Sequence, residues 1–307
     1  MGTYILRRLL LTIPVLWGIA TVVFFLLLVV PGDPADALMG HHPTEEARRD
    51  INAKYHLDKP RLVQYGYFMW RLVQLDLGRS YAHKARVSEI LLERAGATVL
   101  LALTALVVAV IVGMTLGFLA AYRQGSWLDG LVMAISVLGI STPVFWLGLM
   151  AVLLFCSVLW LLPLPDPEIT LRHLVLPSLT LSALLVGYIA RMTRSSLLEV
   201  ARQDFMRTAQ AKGLSRLSVF YRHGLRNALI PVVTIIGLNV ASLLGGAIAT
   251  ETVFAWPGIG RAMFQAVLER DVPLIEGGVI LLAFVFVIAN IVVDVSYAAL
   301  DPRIRLK

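Results

Sequence analysis

The chain has 307 residues, of which 58% are hydrophobic, and its mean hydropathy is +0.78. A soluble domain of this length cannot bury so much apolar surface, so the composition excludes a water-soluble globular protein. The net charge of +7 does not indicate nucleic-acid binding, because the basic residues lie mostly in loops between apolar runs. The single cysteine, Cys156, excludes an intrachain disulfide and a cysteine metal cluster.

Six apolar runs are each long enough to cross a bilayer as a helix, which takes about 20 residues. They cover roughly residues 9–30, 97–121, 131–160, 174–193, 230–250 and 275–299. The first run is longer than the apolar part of a signal peptide, so we expect an uncleaved helix. The third is longer than one crossing needs. The fourth is the weakest, because Arg191 interrupts it and Ser178, Thr180 and Ser182 dilute it. We predict an all-α membrane protein with about six transmembrane helices.

Basic residues predict the orientation of these helices in the membrane. The loop of about 191–229 carries eight basic residues against the two acidic residues Glu199 and Asp204. Short loops rich in arginine and lysine stay in the cytoplasm. This rule places the 191–229 loop and both termini of the chain in the cytoplasm.

The segment between the first two runs is external in this orientation. Its first half contains His41 and His42, which we interpret as a solvated loop, since two adjacent histidines are weak evidence for a metal site. Its second half carries apolar residues at helical spacing. This spacing predicts an amphipathic helix that packs on the outer rim of the membrane domain through Leu62, Tyr65, Phe68 or Met69, Leu72 and Leu75.

Two short helices are predicted inside the basic loop. The run from Asp204 to Lys212 is compatible with a helix and ends at Gly213, a residue type that favours helix C-termini. Leu217, Phe220, Tyr221 and Leu225 recur at helical spacing, and Pro231 is expected in the first turn of the fifth span. Such a projection suits docking by a peripheral protein, and a basic loop resting on lipid headgroups is the alternative.

The run Arg207-Thr-Ala-Gln-Ala-Lys-Gly213, followed by His223-Gly-Leu-Arg-Asn-Ala-Leu-Ile-Pro231, resembles the coupling loop of ABC importer permeases. The family pattern has Glu-Ala-Ala, three residues and Gly, and then Leu-Pro. Here Arg207 and Thr208 replace Glu-Ala, and Arg226 stands where the proline is expected, a form that resembles the B-type subunits of the dipeptide, oligopeptide and nickel branch. Further motifs of that branch occur along the chain: Pro31-Gly-Asp-Pro34, Leu57-Asp-Lys-Pro60, Asp76-Leu-Gly78, Arg191–Val200, Glu251–Gly260 and Asp301-Pro-Arg303.

The resemblance implies a type I ABC importer permease fold that moves di- or oligopeptides by alternating access. Residues 1–30 would be the N-terminal transmembrane helix, 31–94 an external insertion, 95–299 the permease core and 300–307 a cytoplasmic tail. The residues implied in coupling to the ATP-binding subunits are Asp204, Arg207, Thr208, Ala209, Ala211, Lys212, Gly213, His223 and Leu225.

The resemblance also implies the partners of this chain. They are a second homologous permease, two ATP-binding subunits that carry ATP and Mg, and an external substrate-binding protein or lipoprotein. We expect no cofactor, metal or catalytic site on this chain, and no enzyme activity of its own. It lacks a Gly-x-x-x-x-Gly-Lys-Ser/Thr phosphate loop, so nucleotide chemistry needs a partner.

Polar residues at membrane depth are candidates for the translocation path or its gate, because they are costly unless they face water or a partner. These candidates are Asn239, Ser242, Glu251, Trp256, Asn290 and Asp294. Asn239 would alternatively bridge two helices, and Asp294 would alternatively extend to the membrane surface or pair with a basic loop residue. The Glu251–Gly260 segment would alternatively be an interfacial turn, with Trp256 at the membrane surface.

Other function classes make different demands on the sequence. A stand-alone channel or secondary transporter predicts intramembrane carboxylates and inverted repeats, and a membrane enzyme predicts a polar cluster at membrane depth. The predicted docking loop favours the permease over both. Relatives of this branch also carry nickel chelates and glutathione-like solutes, so these remain alternatives to peptides.

Overall fold

The structure, a computed structural model, describes residues 2–29 and 58–300, without the side chains of residues 2–7, 9, 241 and 292–300. The first half of the predicted external insertion, with His41 and His42, and the predicted tail after residue 300 lie outside the described residues. The helices are α1 (Gly2–Val29), α2 (Arg61–Val73), α3 (Val87–Tyr122), α4 (Trp127–Ser141), α5 (Val144–Ala151), α6 (Leu171–Ala201), α7 (Asp204–Ala211), α8 (Arg216–Ser218), α9 (Arg226–Val253), α10 (Ile259–Glu269) and α11 (Val272–Leu300). A π-helix, Val152–Val158, continues α5, and a second, Val219–Leu225, joins α8 to α9.

Among the described residues, four helices are long and apolar enough to cross a membrane: Leu10–Val29 of α1, α3, α6 and Val272–Ile291 of α11. Two bent pairs raise the number to six when each pair is one span. The predicted all-α membrane fold with about six spans is therefore confirmed.

The predicted third span is not one straight helix. It consists of α4 and the segment Val144–Val158, which meet at 109°. The break lies at Thr142 and Pro143, and Thr142 adopts an extended conformation with φ −92° and ψ 130°. Proline disfavours the helical conformation of the residue before it, which explains why an apolar run of this length bends here.

The predicted fourth span, expected to be the weakest, is the most buried of the four long candidate spans. Ser178, Thr180 and Ser182 are all buried, and the Ser178 hydroxyl lies 2.9 Å from the Thr104 hydroxyl of α3. The polar residues that lower the hydropathy of α6 are thus buried in the protein, and one of them, Ser178, contacts another helix. The helix also continues eight residues past its predicted end at residue 193, to Ala201, so the loop predicted at 191–229 begins later.

Contacts divide the chain into two units, and the first comprises Met1–Thr98 and Pro257–Ile288. In this unit Phe68 of α2 packs with Ala20 and Phe24 of α1. Elsewhere in the unit the start of α3 packs on α10 and α11 through Val87, Leu91, Met263 and Leu274, among others. Leu62 and Leu75, predicted on the packed face of α2, are largely exposed.

Buried Asp271 joins the chain before α3 to the start of α11. Its carboxylate accepts hydrogen bonds from the Ser80 hydroxyl, from the Tyr81 N–H at 3.1 Å and from the Leu274 N–H at 3.3 Å. The last of these bonds satisfies a free N–H group in the first turn of α11, as a helix-capping carboxylate does.

The second unit comprises Val99–Trp256 and Ala289–Lys307, and α6 packs in it against α3, α4, α5 and α9. Small residues permit the close approach, as is usual between helices in membranes. A Cβ atom at Gly117 of α3 would clash with the carbonyl oxygen of Ala190 and lie 2.7 Å from the Thr193 Cβ. Gly246 of α9 likewise faces Leu181, whose Cδ1 would lie 2.9 Å from an added Cβ.

Three further details differ from the sequence-based expectations. Helix α3 begins at Val87, inside the predicted external insertion. Pro231 lies in the interior of α9 and not in the first turn of a helix. Trp256, for which a position at the membrane surface was the alternative to a gate, is wholly buried in the protein, in the segment between Val253 and Ile259 that leads into the unpredicted helix α10.

Replacement of Gly117 by alanine is expected to weaken the contact between α3 and α6. The added methyl meets backbone atoms of Ala190, which cannot move aside, so we expect a loss of about 1–3 kcal/mol of stability. Thermal unfolding of the detergent-solubilised chain measures this loss. The matched control is Gly130→Ala in α4, where an added Cβ meets nothing within 4 Å. An equal effect of the two substitutions would contradict the close contact.

Candidate functional site

Helix α7 forms where the sequence predicts a helix in the basic loop. Asp204 occupies its first turn, where a carboxylate is favourable near the helix N-terminus. Lys212 is the C-cap, and Gly213 follows with φ +82°, a conformation that glycine adopts without a steric penalty. Both ends of this eight-residue helix are therefore encoded locally.

Two side chains attach α7 to the rest of the second unit. Met206 and Ala209 are buried in an apolar cluster with residues of α3, α6, the π-helix and α9. The other buried members of this cluster, which we call the anchor cluster, are Ala121, Leu197, Val200, Val219, Phe220 and Ala228. Gly224 leaves room for the Met206 side chain, whose methyl would lie 3.3 Å from an added Cβ. The anchor cluster thus holds α7 against the end of α6.

The opposite side of α7 is exposed, and we call it the docking face. It comprises Asp204, Phe205, Arg207, Thr208, Ala211, Lys212, Gly213 and Leu214. Ala209, expected among the contact residues, is buried and supports the helix from behind. Phe205 and Leu214 were not expected here; each exposes more than a third of its surface and adds an apolar contact to the charged ones.

His223 and Leu225 do not join the docking face. Both lie in the π-helix Val219–Leu225, where they are half-buried, and Leu225 packs on the anchor cluster. Nearby, the Arg216 guanidinium lies 5.4 Å from the ring centre of Tyr122 at the end of α3 and 5.8 Å from that of Phe220. These cation–π contacts add to the attachment of the basic loop.

An ion pair not foreseen from the sequence fixes the same end of α6. Arg194 of α6 donates two hydrogen bonds to the carboxylate of Asp129 in the first turn of α4, one from Nη2 at 2.8 Å and one from Nε. The Gly125 N–H donates to the same carboxylate at 3.0 Å. Because a bidentate pair constrains orientation as well as distance, it holds the turn before α4 against α6. Arg194 was expected among the basic residues of the cytoplasmic loop and lies instead in α6.

The candidates for the translocation path have different surroundings. The Asn239 amide donates to the Ile235 carbonyl of its own helix at 2.9 Å, so this bond does not bridge two helices. Ser242 is exposed and Asn290 is half-buried. Glu251 and Trp256 are wholly buried. The Asp294 side chain lies outside the described residues. Of the five candidates whose side chains the structure describes, two are therefore buried in the protein and three are at least partly exposed.

Breaking the Asp129–Arg194 pair is expected to destabilise the second unit. Asp129→Ala leaves a partly buried guanidinium and the Gly125 N–H without their acceptor, at a cost of about 3 kcal/mol. The double variant with Arg194→Ala should lose less than the sum of the two single variants. Unfolding in detergent measures each value. The control is Asp204→Ala, which removes an exposed pair with Arg207 at 3.9 Å and should change stability by under about 0.5 kcal/mol.

Two alanines of α7 test which side of the helix is attached. Ala209→Asp places a carboxylate in the anchor cluster, and we expect a loss of about 3 kcal/mol or more, because the charge has no partner there. Ala211→Asp points the same carboxylate away from the cluster and should change stability by no more than about 0.5 kcal/mol. Thermal unfolding of both variants measures the difference. Similar losses in the two variants would contradict the assignment of the faces.

Comparison with known proteins agrees with this architecture. The family model for the binding-protein-dependent transport system inner membrane component matches residues 113–306, and the model for the N-terminal part of such membrane components matches residues 1–102. Two solved structures share the fold. A methionine ABC transporter in inward-facing conformations gives a TM-score of 0.57 at 18% identity, over 70% of this chain and 97% of that one. An amino acid ABC transporter gives 0.52 at 14% identity, over 71% of this chain and 95% of that one.

Curated relatives match the chain over almost its whole length. The dipeptide transport system permease protein of Alkalihalophilus pseudofirmus is 41% identical, over 99% of this chain and 100% of the relative. A putative peptide transport system permease protein of Brucella abortus is 42% identical, over 99% of both chains. The glutathione transport system permease protein of Salmonella typhimurium is 42% identical over both full lengths. The chain therefore belongs to the family of binding-protein-dependent transport system inner membrane components and is a multi-pass protein of the bacterial inner membrane.

Proposed function

We propose that this chain is the permease subunit of an ATP-driven importer of di- or oligopeptides, coupled to its ATP-binding subunits through α7. The relatives named above are described as permeases for dipeptides, peptides and glutathione. Glutathione is itself a short peptide, so the three descriptions share one substrate chemistry. The observation that carries the coupling role is the division of α7 into an anchored side and an exposed docking face.

The docking face has the composition of a protein contact. Phe205 and Leu214 supply apolar area, while Asp204, Arg207 and Lys212 supply charges of both signs around it. Protein interfaces combine apolar contacts with a charged, solvated rim in this way. A surface that only rested on acidic headgroups would need neither the exposed phenylalanine nor the acidic residue. These features favour a protein partner over the lipid surface.

The connection between α7 and the membrane helices is short and rigid. Only Arg202 and Gln203 separate the end of α6 from α7, and Met206 and Ala209 lock α7 onto the anchor cluster. A displacement of α7 by an ATP-binding subunit would therefore move α6, which packs against α3, α4, α5 and α9. Because packed helices shift as units, such a motion opens or closes a path between them. The Asp129–Arg194 pair would carry the same displacement to α4.

The remaining parts of the proposal concern partners and path. The chain pairs with a second homologous permease, two ATP-binding subunits supply ATP and Mg, and an external substrate-binding protein or lipoprotein delivers the peptide. Asn239, Ser242, Asn290 and Asp294 remain the proposed path residues. Glu251 and Trp256 are buried, so we assign them to the support of the turn before α10 and not to contact with the solute.

Uptake of a radiolabelled dipeptide by the native cells tests this function. Deletion of the gene for this chain should abolish the dipeptide uptake that this transporter carries out, and the wild-type gene should restore it. Ala211→Asp should restore at most about one tenth of the wild-type rate, because an unpaired carboxylate in the docking interface costs more than about 1.4 kcal/mol, a factor of ten. The control Ala211→Ser should restore uptake, and immunoblots of the membrane check that all variants accumulate.

Two outcomes would contradict the proposal. If the deletion leaves uptake of dipeptides and longer peptides unchanged but abolishes uptake of a nickel chelate, the substrate class is wrong. Full transport by the Ala211→Asp variant would instead contradict the coupling role of the docking face.

A further inference from the structure

Helix α2 carries apolar side chains on both its inner and its outer side. Its inner side packs through Tyr65, Phe68, Met69 and Leu72. Its outer side is also apolar, with Leu62 74%, Trp70 63% and Val73 74% exposed. On a helical wheel with about 100° per residue, these exposed side chains lie within an arc of about 140° that begins at Leu62 and ends at Tyr67. A helix in water would turn polar residues to this side.

The polar residues between these two sides bond to the protein. Gln64 donates to the Lys59 carbonyl at 2.9 Å. The Arg71 guanidinium lies 3.8 Å from the Asp76 carboxylate and fills the space next to Gly78, where an added Cβ would clash with it. The exposed surface of α2 is therefore apolar, and it is bounded by the polar residues Arg61 at its start and Gln74 at its end. A contiguous apolar face of this kind marks a contact with a partner or a membrane.

The neighbours of α2 place it beside membrane-spanning helices. Ala20, Phe24 and Leu28 belong to the C-terminal half of the candidate span Leu10–Val29, and Ile280 belongs to the candidate span Val272–Ile291. The Tyr65 hydroxyl of α2 lies 2.8 Å from the hydroxyl of Thr21 in α1. Helix α2 thus packs against the side of α1 and not only on its end.

The half of α1 that contacts α2 also exposes apolar side chains. Val22 and Leu26, in the same half of the α1 span that α2 contacts, are 63% and 60% exposed. Trp70 and Tyr67 on α2 are the residue types enriched where acyl chains meet headgroups, and Lys59 and Arg61 at its start suit contact with phosphate groups.

From this geometry we propose that α2 is a membrane-embedded helix of the outer leaflet, whose exposed face, formed by Leu62, Val63, Tyr67, Trp70 and Val73, contacts lipid acyl chains. It fastens the external insertion to the bilayer beside α1. Contact of this face with lipid depends neither on the proposed peptide substrate nor on the ATP-binding subunits. This inference is therefore independent of the proposed function.

Spin labels on single cysteines test the proposal in the transporter purified with its natural partners. Cys156 is buried and is replaced by serine, after which Val63→Cys, Tyr67→Cys and Val73→Cys are labelled one at a time. The protein is reconstituted in vesicles of phosphatidylethanolamine and phosphatidylglycerol. Collision with oxygen reports acyl chains, and collision with a water-soluble nickel chelate reports water. Leu26→Cys on α1 is the lipid control and exposed Glu168→Cys is the water control.

We expect the three labels on α2 to collide several-fold more with oxygen than with the nickel chelate, as at Leu26, and the reverse at Glu168. Stronger collision with the nickel chelate at all three positions would show a water-exposed helix and overturn the proposal. Protection from both reagents would show a protein partner on this face and would overturn it as well. The labelled positions are exposed, so the variants should fold, and the two controls verify reconstitution in each preparation.

Discussion

The attachment of α7 to the cytoplasmic end of α6 is the contact on which the rest of the account depends. Burial of Met206 and Ala209 in the anchor cluster turns a basic loop into a rigid extension of α6, the most buried of the four long candidate spans. Because apolar cores resist deformation, force on the docking face passes to α6 and is not absorbed by a flexible loop. Helix α6 in turn contacts helices on several sides, with Gly117 of α3 and Gly246 of α9 allowing close approach.

The Asp129–Arg194 pair complements this apolar attachment with a directional one. An apolar cluster tolerates sliding more readily than a bidentate ion pair, whose geometry is defined by two parallel hydrogen bonds. The pair joins α4 to α6 about three turns before α7 begins. The bend of 109° at Pro143 then separates α4 from α5, so the two halves of this broken span can follow different neighbours. In alternating access, a span with a built-in break provides a place for relative motion.

Sequence periodicity predicted much of this fold, and its failures have identifiable physical causes. The six apolar runs, α2, α7 and the glycine after α7 all follow from local patterns. The sequence contains a proline at position 143, but the angle of the bend could not be predicted from it, because the direction of a break depends on tertiary contacts. Helix α6 was undervalued because hydropathy counts Ser178 and Thr180 as unfavourable, whereas they are buried against other helices. The Asp129–Arg194 pair joins residues 65 positions apart, which no local pattern reveals. Trp256 belongs to a residue type that favours membrane interfaces, yet its side chain is wholly buried in the protein, and burial by distant residues is not visible in a local pattern.

The most direct test of the central claim is photo-cross-linking from the docking face in intact cells. A benzophenone amino acid is placed at Thr208 or Ala211, both exposed on α7, and at Glu168 in the predicted external loop as the control. The account predicts a covalent adduct with an ATP-binding subunit from each α7 position and none from Glu168. The absence of such adducts at both α7 positions, with the chain present in the membrane and lipid adducts formed instead, would contradict it. That result would identify the basic loop as a surface that rests on headgroups.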